Sequence, residues 1–344
     1  MKIRAHTLIA GVLVTLSMAC AQVANAANAD QPSPSSTVLP EVPDATKPTS
    51  RQKQGILIDA DTANEVDDLH AIVRALIHPS FEVEGLNSAQ WQISHYATPN
   101  TLEDSQRLNE VLLALLNKSS IPHPRGASHR LYDWGRDVAQ HSAAAYHIIQ
   151  EAHKTPEGEK LTVVMLGATT SLASALLIDP TISPKIKVYL LGTSHDFGRR
   201  IWRKRDFNCV MDVQAIEVVL NAKDLEIHIM PVNVAAAMVF DMEEAKQKLV
   251  QRNDLLNLLY RRWGDHIDGG RSRRVIWDLC VVSCLIYPQF GEEIRVTTPP
   301  EDTSREVYVF SSIDGLKIRE EFYLALAEYY NLDLDGKRHE QAGT

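Results

Sequence analysis

Five acids fall within ten residues in the stretch Ile56-Leu57-Ile58-Asp59-Ala60-Asp61-Thr62-Ala63-Asn64-Glu65-Val66-Asp67-Asp68. The apolar run Ile56 to Ile58 reads as a buried strand, so the charge is delivered to the end of a sheet. Like charges packed beside low-dielectric protein repel unless a cation neutralises them, and no Lys or Arg lies inside the segment. A hard divalent cation held by carboxylate oxygens is the economical neutraliser. The plainer alternative is a solvated acidic loop in which Asp67 and Asp68 complement the amino-terminal dipole of the next helix. Capping uses one or two acids and leaves Asp59 and Asp61, directly after the strand, unexplained. A metal site is therefore the preferred reading.

Such a cluster needs a scaffold, and the rest of the chain supplies a regular alternation. Strand-length apolar runs are Ile56–Ile58, Phe81–Leu86, Leu161–Leu166, Ile186–Leu191 and Leu225–Met230. Between them lie helical patterns at Asp67–Ile77, Ser105–Leu116, Ala143–Ala152, Ser171–Leu177 and Val213–Asn221, and Met242–Gln251 follows the last. The alternation predicts an α/β fold, an open and mostly parallel sheet with helices on both faces. Ligands bind such sheets at the carboxyl ends of strands. Residues just after each strand are thus the chemical candidates. Trp91 and Gln92 follow the second strand. His195, after the fourth, is placed where a leaving-group acid could sit. His70, early in the first helix, is expected to pack or face solvent. Cys280 and Cys284, one helical turn apart, read as small buried residues, because no further Cys or His stands at ligand spacing.

Two resemblances attach to the acidic stretch. Asp59-Ala60-Asp61-Thr62 resembles the first motif of haloacid-dehalogenase-type phosphatases, in which the first Asp is a nucleophile and the second an acid/base. That fold also needs a distal Lys and a later acidic pair at a strand end, and neither presents itself. The whole stretch resembles the amino-terminal signature of the inosine-uridine-preferring nucleoside hydrolase family, Asp-Thr-Asp-Pro-Gly-x-Asp-Asp, in the longer Asp-x-Asp-x-x-Asn-Glu-x-Asp-Asp form of a divergent member. Three further blocks follow in the family's order. Leu161 to Ala173 is similar to a strand and its Gly-x-Leu-Thr-Asn-Leu-Ala turn. Asp206-Phe207-Asn208 with Asp212-Val213-Gln214-Ala215 is similar to Glu-Phe-Asn and Asp-Pro-Glu-Ala. Trp277-Asp278-Leu279, leading into an apolar helix that ends at Tyr287-Pro288, is similar to a His-Asp-Pro block. The resemblance covers roughly Gly55 to Pro288.

The resemblance implies calcium held by Asp61, Asp68, the backbone carbonyl of Leu166 and Asp278. It implies sugar hydroxyls bound by Asp67, Asn208 and Asp278, and Asp61 as the base for a calcium-bound water that attacks the anomeric carbon. The departures are equally specific. The family's His before the last Asp, a candidate acid for the leaving base, is Trp277, whose indole can stack on a flat ring but cannot donate a proton at useful pH. The family's Glu is shortened to Asp206, which can still reach a hydroxyl through water. Arg200 and Gln92 stand where the family has Asn. Arg200 would suit an anionic ligand group, but its run, Arg199 to Arg205, reads first as a solvated basic loop.

Composition bounds what remains. The chain has 344 residues, with 44% hydrophobic, 23% charged and a net charge of −9, the mixture of a soluble globular protein without electrostatic pull toward nucleic acid or anionic lipid. Its four cysteines are too few for a disulfide scaffold. Lys2 and Arg4, the short apolar run Leu8 to Ala19 and Ala24-Asn25-Ala26 predict a cleaved signal peptide over 1–26 and export to a periplasm, with no stable membrane span afterwards. Lipid attachment at Cys20 is the lesser alternative, because Leu16, Ser17 and Met18 fit a lipobox poorly. Residues 27–54, rich in Pro and Ser, read as a disordered tether, 55–335 as the folded domain and 336–344 as a flexible tail. The expected activity is calcium-dependent hydrolysis of an N-glycosidic bond in a small riboside, by a chain that can also form a homo-oligomer. The competing expectations are a non-catalytic calcium-dependent sugar-binding protein on the same fold and, more distantly, a phosphatase.

Overall fold

The computed structural model describes residues 53–131, 138–266 and 269–332, all within the compact unit Ser50–Thr344. The expected signal peptide, Cys20, nearly all of the tether and the tail lie outside the described residues. Among the described residues eleven strands run in chain order. They are β1 (Gln54–Ala60), β2 (Phe81–Ser88), β3 (Leu161–Met165), β4 (Ile186–Leu191), β5 (Ser194–Asp196) and β6 (Ile201–Arg203). After these come β7 (Glu226–Met230), β8 (Val239–Asp241), β9 (Arg273–Val275), β10 (Gly291–Thr297) and β11 (Glu306–Ile313). The helices are α1 (Asp67–Ile77), α2 (Thr101–Leu115), α3 (Ala143–Lys154), α4 (Thr170–Ile178), α5 (Phe207–Met211) and α6 (Val213–Asn221). Then follow α7 (Val232–Ala235), α8 (Met242–Leu249), α9 (Asp254–Asp265), α10 (Leu279–Ile286) and α11 (Gly315–Tyr329).

Seven strands form one sheet in the order β10-β11-β7-β4-β3-β1-β2, parallel throughout except for the β10–β11 pair at one edge. Both faces are covered, as the unbroken apolar runs require. Alternate residues of β1 enter different cores: Ile56 and Ile58 pack with α1, α10 and α11, whereas Leu57 packs with α3, α4 and α6. Two short hairpins, β5–β6 and β8–β9, lie outside the main sheet.

The expected strands all form, with ends shifted by a residue or two except where β1 and β2 run longer, and α1 and α6 have the expected bounds. Larger differences have local causes. Helix α2 starts at Thr101 rather than Ser105, because the Asn100 side chain accepts from the Glu103 amide and caps an earlier turn. The antiparallel β10–β11 pair, α9 and α11 are additions. In β10, inward and outward residues alternate too weakly for strand patterning to mark it. Cys280 and Cys284 are buried and unpaired on α10, and Cys209 is buried and unpaired on α5. Among the described residues no helix is long and apolar enough to cross a membrane.

Leu57 is fully buried on β1, which is paired on both sides by β3 and β2. Leu57→Ala is expected to lower unfolding free energy by about 3 kcal/mol in urea titration, the cost of a core leucine truncated where its neighbours cannot close the cavity.

Candidate active site

Strands β7, β4, β3 and β1 are neighbours, and their carboxyl ends open onto one cavity of about 240 Å³, at the small end for a small-molecule site. Each loop contributes. After β1 the chain turns tightly, with the Asn64 amide donating to the Asp61 carbonyl at 2.7 Å, and enters α1 at Asp67. Val66 offers no side-chain cap to α1, so Asp67 and Asp68 are the negative groups in its first turn. Asp278 occupies the N-cap of α10, which packs on α1. Amino ends of two helices more than two hundred residues apart in sequence therefore meet, and carboxyl oxygens of Asp67, Asp68 and Asp278 lie within 4.8 Å of one another.

The opposite wall comes from the loops after β3 and β4. The Asn208 amide donates to the carbonyls of Leu166 at 2.6 Å and Leu191 at 3.1 Å, tying α5 to two strand ends. Asp206 caps α5 by accepting from the Cys209 amide at 3.1 Å, and also accepts from the Thr193 amide at 2.7 Å. Phe207, Leu191, Val232 and Trp277 add apolar lining.

The acids are deeply buried: Asp59, Asp61, Asp68 and Asp278 are at most 2% exposed and Asp67 5%. Burial is the main reason that all five protonate above the usual carboxylate range. Repulsion adds to it, from Asp67 on Asp61, from Asp61 on Asp68 and from Asp67 on Asp278. Asp59 is pushed up to about 6 even though Ser171 and Asn87 hydrogen-bond it. Counter-charge reaches the cluster from distant sequence. Arg274 forms an ion pair with Glu65 at 3.5 Å and favours the ionised form of Asp67, and Arg262, which donates to the Ala63 carbonyl, acts on Asp68. Neither arginine lines the cavity. Asp61 Oδ2, Asp68 Oδ1 and Asp278 Oδ1 are buried without a hydrogen-bond partner. Three orphaned carboxylate oxygens and the adjacent Leu166 carbonyl are the donor set that suits a hard divalent cation.

Asp61, Asp67, Asp68, Leu166, Asp206, Asn208, Trp277 and Asp278 all line this cavity. The tightest carboxylate group contains Asp67 where the sequence reading had put Asp61, because Asp67 also hydrogen-bonds Asp278. Residues of the lining not singled out as ligands are Asn64, Glu65, Leu191, Phe207 and Val232. Asn64, Glu65 and Phe207 lie inside the motifs themselves. Leu191 and Val232 carry no signal beyond following a strand.

Other candidates lie elsewhere. Asp59 is not in the lining and is held by Asn87 at 3.3 Å, so it cannot serve as an exposed phosphatase nucleophile. His195 is buried against Phe197 and Trp202, with its backbone held by Asn233. Gln92 accepts from Thr101 at the start of α2, and Trp91 packs beside Ala168 and Met211. Arg200 is exposed at the β5–β6 turn with φ 57°, and His70 is core, bonded to the Val66 carbonyl and packed on Phe240 and Phe322.

A family model described as inosine-uridine preferring nucleoside hydrolase matches residues 56–314. Similar solved structures are a plant nucleoside hydrolase (TM-score 0.61, 17% identity, covering 79% of this chain and 98% of that one) and an inosine-guanosine nucleoside hydrolase (0.61, 17%, 81% and 98%). A purine-preferring ribonucleoside hydrolase from Gardnerella vaginalis is also similar (0.59, 18%, 80% and 99%). At these identities the likeness shows the fold. Over 169 residues the chain is 24% identical to an uncharacterized protein of Schizosaccharomyces pombe, a match over 46% of this chain and about half (48%) of that relative's length.

Carboxyls that protonate above their unfolded value stabilise the fold at low pH, and that stability is lost as pH rises through the folded value. The cation-free protein is therefore expected to lose thermal stability from about pH 4 upward through this cluster. A divalent cation at a hundredfold excess over its Kd should restore about 2.7 kcal/mol, a Tm rise of roughly 5–10 °C at about pH 8 that shrinks toward about pH 5. Asp68→Asn should lose this cation-dependent rise while leaving the cation-free protein at least as stable, measured by differential scanning calorimetry.

Proposed function

We propose that this chain, which belongs to the inosine-uridine preferring nucleoside hydrolase family, hydrolyses the N-glycosidic bond of a ribonucleoside or related riboside with calcium as its metal. Family and fold are those of N-glycosidases, and the family's chemistry is metal-dependent. The observation that carries the reading is the convergence of Asp61 and Asp68 with Asp278 in one cavity, each with a buried oxygen that no protein group satisfies. Asp61, Asp68, the Leu166 carbonyl and Asp278 would hold the ion. When bound, calcium supplies a charge that acidifies water and accepts further oxygen ligands such as vicinal hydroxyls.

The side chains divide the remaining work. Asp61 is the base that takes the proton of the attacking water. Asp67 accepts from a sugar hydroxyl. Both amide hydrogens of Asn208 are engaged by carbonyls, which leaves its Oδ1 to accept from a second hydroxyl. Asp206, committed to backbone amides, orients α5 and reaches the sugar through water. The carboxylate floor stabilises positive charge developing at the anomeric carbon, and Trp277 stacks on the flat aglycone. The pattern over residues 1–26 supports export and action in a periplasm.

Mature protein with calcium should release reducing sugar from at least one ribonucleoside of a broad panel. Asp61→Asn should lower kcat by about 10²–10⁴-fold with an unchanged circular dichroism spectrum. Trp277 in place of a proton donor favours one competing reading, a sugar-binding protein without turnover. Calcium-dependent thermal stabilisation by ribosides with no sugar released from any would decide for it.

A further inference from the structure

The lining of the cavity is acidic to an unusual degree for a site that must expel a ring nitrogen. Six carboxylates face it, and among the described residues no Lys, Arg or His does. A divalent ion balances part of that charge and Arg274 answers Glu65 at 3.5 Å, but the cavity remains negative. A neutral base leaves as an anion unless an acid protonates it while the C–N bond breaks. The lining Asp residues are taken up by ion, sugar and water, Glu65 is paired with Arg274, and Trp277 has only an indole N–H. His195, which follows β4, is buried between Phe197 and Trp202 outside the lining. The aromatic residues that do line the cavity, Trp277 and Phe207, are side chains whose rings attract cations.

We infer that the leaving group this cavity accepts is a flat heteroaromatic ring carrying positive charge on its glycosidic nitrogen, as in a pyridinium riboside. The inference rests on the N-glycosidase reading and names its substrate class. The balance needs no acid. The C–N⁺ bond breaks with its electron pair going to nitrogen, so the ring departs neutral. The water oxygen bonds to the anomeric carbon, and its proton passes to Asp61 and then to solvent. Before the bond breaks, the cationic ring is drawn in by the same charge that would disfavour an anionic aglycone.

Two measurements on the full mature chain loaded with calcium test this. The first compares kcat/KM for N-ribosylnicotinamide with inosine and uridine. The cationic riboside should be favoured by roughly tenfold or more, the size of a cation–π and field effect, and its pH profile should rise with a single ionisation and stay level on the alkaline side. Trp277→His, which installs a proton donor, should cut that preference at least roughly tenfold by raising the neutral rates. The second measurement needs no turnover. In Asp61→Asn, 1-methylnicotinamide should raise Tm more than nicotinamide does, and added salt should diminish the difference. Neutral ribosides cleaved as fast as or faster than the cationic one, or equal Tm shifts from the two nicotinamides, would overturn the inference and leave the N-glycosidase reading standing. Cleavage of no riboside at all would overturn both.

Discussion

Buried carboxylates repel one another and lose hydration together, and the carboxyl end of this sheet gathers four of them, Asp61, Asp67, Asp68 and Asp278, around one cavity. The remainder of the architecture can be understood from that conflict. Parallel strands end on the same side, so loops from β1, β3, β4 and β7 crowd into one region where backbone amides and helix amino ends offer partial positive charge. Those partial charges, with Arg262 and Arg274 behind the loop, offset some of the repulsion. They leave three oxygens of the cavity-lining carboxylates, on Asp61, Asp68 and Asp278, unanswered. A small, multiply charged cation is the group whose field is strong enough to complete the arrangement.

Much of the polar chemistry around the cavity serves to hold the walls. Asn208 binds two strand-end carbonyls, Asp206 caps α5 and accepts from the amide of Thr193, and Asp59 lies beneath the floor against Asn87. Gly167 shows how tight the floor is: a Cβ there would lie 3.0 Å from Asp61 side-chain and backbone atoms. A side chain at this position would displace the carboxylate proposed as base. Rigidity of this kind suits a site whose groups must stay within tenths of an ångström of a reacting water.

The elements most legible in the sequence were those whose burial is continuous or regularly periodic. Strand β1 and helices α1 and α6 follow from apolar runs and periodicity, and the acids after β1 stood out because nothing in capping chemistry explains Asp59 and Asp61. Helix α2 began earlier than its apolar pattern, because the Asn100 side chain caps a first turn that is polar apart from Leu102. The β10–β11 pair was not visible, since an edge strand that is wet on much of its surface carries little hydrophobic pattern. His195 and Gln92 looked like site residues by their distance from a strand end. They point elsewhere, because direction after a strand depends on the packing of each loop.

The sequence by itself determined that a strand would deliver a block of acids to a sheet end, and that matching blocks downstream would share its fold. Those facts depend on residue types close together along the chain. Only the tertiary structure decided which acids meet. Asp278 joins Asp67 and Asp68 because α10 packs on α1, and Arg274 and Arg262 approach from behind. Only the tertiary structure, too, separated Asp59 from the cavity that Asp61 lines. Charge interactions act through space and depend on local burial, so their outcome is written in distances that no linear spacing contains.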